Sequence, residues 1–149
     1  MNKADAPLCL VTGGQGFVGQ RLVRGLVAEG CSVRLLSRSI RGDMDTVVCD
    51  LSTEPLPVDT CRAVNIVYHL AAYTHDLRDA SKLEDVYRSL NVDATMRLAE
   101  AAARAGVQRF VFISSVKAGG LSGDELRTGE RESPPVSYTH LTLPTNQCV

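Results

Sequence analysis

The sequence predicts an α/β domain built on a doubly wound parallel sheet with strand order 3-2-1-4-5. Two observations and one rule of chain connection lead there. Short, continuously apolar segments alternate with longer segments whose apolar residues recur every third or fourth position. That is the pattern of strands buried on both faces and of helices that cover them. Right-handed crossovers between such strands then wind the helices onto both sides of the sheet. Finally, a glycine cluster follows the first apolar run directly, as at a turn from strand into helix.

The elements follow in order. Leu8–Thr12 (LCLVT) is the first strand. Over residues 17–29, Val18, Leu22, Val23, Leu26 and Val27 keep helical spacing, and Gly30 supplies the stop. Ser32–Ser37 (SVRLLS) is the second strand, and residues 46–49 (TVVC) a short third one before Asp50. The Pro-containing stretch 52–60 has room for at most one turn of helix, and residues 65–70 (NIVYHL) form the fourth strand. The longest periodic segment, 83–105, sets Val86, Leu90, Ala94, Leu98 and Ala101 along one face before Gly106 ends it. Residues 109–114 (RFVFIS) are the fifth strand. Past Ser114 come glycines, a charged run (DELRTGERE) and prolines, with no sixth strand or closing helix. The architecture therefore reads as C-terminally truncated, with an apolar edge and face left to aggregate.

The 149 residues make one domain, a size at which folding buries roughly 70% of the extended chain's surface. Hydrophobic residues at 44% and charged residues at 22% are those of a soluble globule. Sixteen Lys and Arg against seventeen Asp and Glu leave no field to collect nucleic acid or an anionic membrane. The five cysteines are scattered singly, without a CxxC pair or zinc-like spacing. They read as reduced thiols, which implies the cytoplasm. The N-terminal apolar run is too short for a signal peptide, and none reaches membrane-spanning length.

Residues 12–19 read TGGQGFVG, between the first strand and the first helix. Gly13 permits the tight turn, Gly16 lets backbone approach a pyrophosphate, and Gly19 lets the helix sit close on the strand. The helix start adds unpaired N–H groups and a partial positive charge, which together make a phosphate cradle.

The G-x-x-G-x-x-G spacing and the segments around it resemble the extended short-chain dehydrogenase/reductase superfamily, the NAD(P)-dependent epimerases and dehydratases. The resemblance runs over residues 8–115. It implies a Rossmann-type sheet with Gly13, Gly16, Phe17, Val18 and Gly19 at the cofactor phosphates. Asp50 and Leu51 match the family's D-L pair, whose carboxylate meets the adenine. Leu70, Ala71 and Ala72 match the segment lining the cofactor after the fourth strand. Asn91 matches the family asparagine, Ser114 ends the fifth strand at the cofactor, and Ser115 falls at the catalytic hydroxyl. Taken singly, each has a plainer reading as a turn cap, a packing residue or an exposed hydroxyl; His69 reads as structural. Residues 1–135 are then an incomplete NAD(P)-binding domain whose substrate domain is absent.

An NAD-preferring site places a carboxylate at the end of the second strand to accept from the ribose 2′-OH. Here LLSRS puts Ser37 in that position and Arg38 after it. A guanidinium can grip a 2′-phosphate in a fork, so the cofactor is NAD(P) with a lean toward NADP.

The family's chemistry needs a Tyr-x-x-x-Lys pair. Tyr138 is followed four residues on by Thr142, which brings no charge, and Pro144 breaks the helix that should carry the pair. From about Val136 the tail resembles a translated sequencing-library adapter, so residues 136–149 read as non-native and Tyr138 as without a role. The framework most resembles the UDP-sugar 4-epimerases, which implies a nucleotide-sugar substrate; family dimers often pair through helices, so a homodimer is compatible with the resemblance without being fixed by it. The rivals are an NADPH-dependent ketone or aldehyde reductase of the same superfamily and a non-catalytic dinucleotide-binding module.

Overall fold

The computed structural model describes residues 6–40, 42–72 and 88–114. Along the chain these form β1 (Leu8–Thr12), α1 (Phe17–Ala28), β2 (Ser32–Ser37), β3 (Asp45–Val48) and β4 (Ile66–His69). A π-helical turn (Arg88–Asp93), α2 (Ala94–Arg104) and β5 (Arg109–Phe112) follow. The five strands make one sheet in the order β3-β2-β1-β4-β5, and every neighbouring pair is parallel. This is the Rossmann-type doubly wound arrangement that the alternation of patterns predicts.

The apolar strands read continuously because both faces are covered. Leu10 and Val11 are adjacent on β1, both fully buried, and belong to different clusters. Leu10 packs with Val67, Phe110 and the Ala94, Leu98 and Ala102 side of α2. Val11 packs with Val33, Leu35 and Val23 from α1. A single strand thus anchors two hydrophobic layers, each buried Val, Leu or Phe side chain contributing about 1.5–3 kcal/mol.

Both helices stop in the same way. After α1 the Gly30 N–H bonds Val27 O at 3.0 Å and the Cys31 N–H bonds Leu26 O at 2.9 Å. After α2 the Gly106 N–H bonds Ala103 O at 3.1 Å and the Val107 N–H bonds Ala102 O at 3.0 Å. Each is a Schellman closure on the glycine that the sequence marks as the stop.

The strands differ from their sequence limits at the ends. β4 begins at Ile66, because Asn65 turns its side chain to accept the Leu8 N–H at 2.8 Å. β3 spans Asp45–Val48 and β5 stops at Phe112. The long helix also differs: within the described residues it opens as the π-helical turn and becomes α-helical only at Ala94. Within α2, Thr95, Ala99 and Ala102 join Ala94 and Leu98 in the buried stripe, at the three- and four-residue spacing of a regular helix. Ala101, expected in that stripe, is only partly buried. No described helix is long and apolar enough to cross a membrane.

Candidate functional site

The register aligns the carboxyl ends of the strands: Thr12 lies beside Leu36 and His69, and His69 beside Phe112. In open parallel sheets the ligand crevice lies just beyond these ends. A cleft of about 690 Å³ opens there.

The β1–α1 turn builds one wall. Gly13 has φ +67°, and a β carbon on it would lie 2.8 Å from the Ala71 nitrogen and from Leu70 C. The Gly16 N–H closes the turn on Gly13 O at 3.0 Å. A β carbon on Gly19 would land on the Gly13 carbonyl oxygen and 2.7 Å from Gly14 Cα. No side chain caps the start of α1, so its first backbone N–H groups remain available at the cleft. Phe17 and Val18 stand 76% and 57% exposed on this rim, with the Arg21 guanidinium 3.8 Å over the Phe17 ring.

Gln15 leaves the same turn and reaches β2. Its Nε2 donates to Ser37 Oγ at 2.7 Å and to Ser39 O at 3.2 Å. Gln15's own carbonyl accepts from Gln20 Nε2 at 2.8 Å. Arg38, between the two serines, is exposed at the cleft edge.

After β3, Asp50 Oδ1 accepts the Ser52 hydroxyl at 2.5 Å and the Ser52 N–H at 2.9 Å. These bonds, helped by the charge of Arg38, hold the carboxyl below its usual range. The segment is pinned from the helix side: Arg97 Nη2 donates to Leu51 O at 2.6 Å and Ser89 Oγ to Ser52 O at 2.8 Å.

A buried relay holds the exit of β4. The Ala71 N–H donates to Thr12 Oγ1 at 3.0 Å, which lies 2.6 Å from His69 Nδ1. His69 Nε2 is 2.9 Å from Thr95 Oγ1, and Thr95 donates to Asn91 O at 2.9 Å. The Thr95 hydroxyl proton is committed to Asn91, so it accepts from His69 Nε2–H. His69 Nδ1 therefore accepts from Thr12. A single neutral tautomer satisfies the whole chain. The ring is fully buried, stacks on Phe112 at 5.6 Å, and has its pKa pushed down to about 4 by burial.

Gly13, Gly16, Phe17, Val18, Gly19, Arg38, Asp50, Leu51, Leu70, Ala71 and Ala72 all line this one cleft. Asn91 sits in the π-helical turn beside Leu90, which also lines it. Ser114 follows β5. Ser115, Tyr138 and the tail from Val136 lie outside the described residues. Sequence reasoning missed Gln15 as a wall residue, although a long amide among glycines is itself a signal. It also left Ser52 unremarked. Cys9, Cys49 and Cys61 are buried free thiols and Cys31 is half-buried. No cluster suited to a metal occurs among the described residues.

The model of the NAD dependent epimerase/dehydratase family matches residues 9–141. A putative dihydroflavonol 4-reductase of Synechocystis is 39% identical over 89% of this chain and 40% of its own length. A UDP-glucose 4-epimerase of Vibrio cholerae is 32% identical over 87% of this chain and 42% of its own length. Among solved structures, MoeE5 in complex with UDP-glucuronic acid and NAD is 34% identical. It superposes with a TM-score of 0.70, covering 87% of this chain and 43% of that one. The chain thus spans about two-fifths of the length of the curated relatives it matches. A family match across nearly all of the sequence falls on a parallel sheet whose glycine turn faces the cleft, and the chain belongs to the NAD-dependent epimerase/dehydratase family.

Proposed function

We propose that the cleft holds NAD(P), and that residues 1–135 are the cofactor-binding part of an epimerase/dehydratase-type oxidoreductase acting on a nucleotide sugar. The observation that carries this is the β1–α1 turn. Its two crowded glycine positions bring bare backbone to the cleft in front of an uncapped helix, the geometry a pyrophosphate needs. Gly13, Gly16 and Gly19 would receive the phosphates, and Asp50 with Leu51 the adenine. Leu70, Ala71 and Ala72 would line the nicotinamide half, next to the turn carrying Asn91. When bound, the cofactor supplies hydride exchange; the chain's own part is to orient it and shield it from water. Ser115 is proposed as the hydroxyl partner of the substrate oxygen, with Ser114 beside the cofactor.

The nucleotide-sugar reading is supported by the UDP-glucose 4-epimerase relative and by the UDP-sugar complex of MoeE5. A second reading, an NADPH-dependent ketone or aldehyde reductase, is favoured by Arg38 at the β2 end and by the reductase relative. Net consumption of cofactor in the presence of substrate separates the reductase from the self-regenerating epimerase.

Fluorescence titration of the chain with NADPH and NADH tests the cofactor reading. Arg38→Asp is expected to weaken NADPH binding by about tenfold or more, because a charge-assisted contact turns repulsive, and to leave NADH nearly unchanged. Equal losses would remove Arg38 from the cofactor choice. Binding of neither nucleotide would sink the reading of the cleft.

A further inference from the structure

We propose that Gln15 sets the cofactor preference of the cleft by fixing the hydrogen-bond polarity of Ser37, so that the ribose end takes a phosphate monoester in preference to a free 2′-hydroxyl. This rests on the reading of the cleft as a dinucleotide site and adds a residue to it.

A primary amide carries two N–H hydrogens, and Gln15 uses both inside the protein, one on Ser37 Oγ and one on Ser39 O. The orientation of the amide is settled by the second contact. The Ser39 carbonyl can only accept, so an oxygen in that place would set two acceptors 3.2 Å apart. Ser37 Oγ is therefore an acceptor toward Gln15. It also takes the Ser39 N–H at 3.4 Å, which occupies its two lone pairs. What Ser37 retains is its own hydrogen, which is donated to no described residue.

A selective NAD site presents the opposite polarity, a carboxylate that accepts from the ribose hydroxyl. In this chain the β2 end presents a hydroxyl restricted to donating, next to the exposed Arg38, which has donors only. A phosphate monoester offers acceptors only and is the complement of that surface. Arg38 supplies charge, whereas Gln15 removes the acceptor for a 2′-hydroxyl's hydrogen and leaves that hydroxyl only its neutral oxygen to offer. The sequence hides this device, because the two partners stand 22 residues apart.

The test uses two probes that differ only at the ribose 2′ position: adenosine 2′,5′-bisphosphate and adenosine 5′-monophosphate. Both are titrated calorimetrically into the 149-residue chain and two variants, each first shown to melt at the parent temperature. The parent is expected to prefer the bisphosphate. Gln15→Met keeps the length but frees the Ser37 lone pair, and should cut that preference about tenfold, the weight of one polar contact. Gln15→Glu should cut it further, since a carboxylate accepts the Ser37 hydrogen and repels phosphate. A parent without preference overturns both the NADP reading and this proposal. If the parent prefers the bisphosphate and both variants keep the ratio, the Gln15 assignment alone falls. Equal weakening of both probes also overturns it, because Gln15 would then act only by packing the turn.

Discussion

The turn from β1 into α1 and the exit of β4 line the same cleft, yet the first is shaped by missing side-chain atoms and the second by a run of hydrogen bonds. At the turn, Gly13 and Gly19 leave space that a single methyl group would close. At the exit, Thr12, His69 and Thr95 carry an unbroken donor-to-acceptor chain from the Ala71 N–H to Asn91 O. The two walls should therefore fail differently. Steric fit fails abruptly and is indifferent to pH, because no proton takes part in it. A polar relay weakens by steps and responds to protonation, because it depends on one tautomer.

The largest effect is expected at Gly19. Alanine there must push its β carbon into the Gly13 carbonyl and Gly14 Cα, both backbone, so neither a rotamer change nor a small side-chain shift relieves it. Gly19→Ala should cost about 3 kcal/mol or more, at the upper end of overpacking effects, and abolish dinucleotide binding. Thermal melts and NADPH titration of the variant are the measurement. A variant that melts within a degree of the parent and still binds would show that the turn is held by something other than close approach.

The relay comes next. His69→Leu leaves the Thr12 and Thr95 hydroxyls buried without their ring partner, a loss of about 2 kcal/mol. Its pH signature is more diagnostic. The folded pKa, about 4, lies below the ordinary 6.5, so in the interval between them the unfolded chain binds the proton and the folded chain does not. Stability is then fully present above 6.5 and drains away as pH falls toward 4, by about 3 kcal/mol in all. Asp50, whose carboxyl is held below its ordinary 3.8, gives up its own contribution only under that value. Urea unfolding from pH 7 to pH 4.5 should slope in the parent and lie nearly flat in His69→Leu. Parallel slopes would assign the sensitivity to another group.

The two walls were also unequally legible in the sequence. The steric wall announces itself, because glycines at fixed spacing between an apolar run and a periodic segment have few other uses. The same one-dimensional signals gave the strand order and both helix stops, whereas the convergence of Asp50, Leu51, Ala71 and Ala72 on one cleft was expected only from the family resemblance. Hydrogen-bond partners are another matter. His69 meets Thr12 across 57 residues and Thr95 across 26, and no periodicity encodes such pairings. The π-helical turn was hidden for the same reason. Its apolar spacing looks like ordinary helix, while Thr95, held between His69 and the Asn91 carbonyl, fixes the first residues in space. Asn65 read as strand because its neighbours are apolar; only the tertiary contact to Leu8 shows it serving β1 instead.

The smallest expected effect sharpens the comparison most. Gly25 lies on α1 six positions after Gly19, in the same helix, but it is exposed and a β carbon on it would meet nothing within 4 Å. Alanine suits a helix interior better than glycine, chiefly by restricting the unfolded chain. Gly25→Ala should therefore stabilise the protein by about 0.5–1 kcal/mol, raise the melting temperature by a few degrees, and leave NADPH affinity unchanged. Placed beside Gly19→Ala, it holds the chemical change and the helix constant and varies only the space around the new methyl. Opposite signs would assign the requirement at Gly19 to the approach of the Gly13 backbone. Destabilisation at both positions would point instead to the helix backbone itself, and the steric account of the first wall would have to be withdrawn.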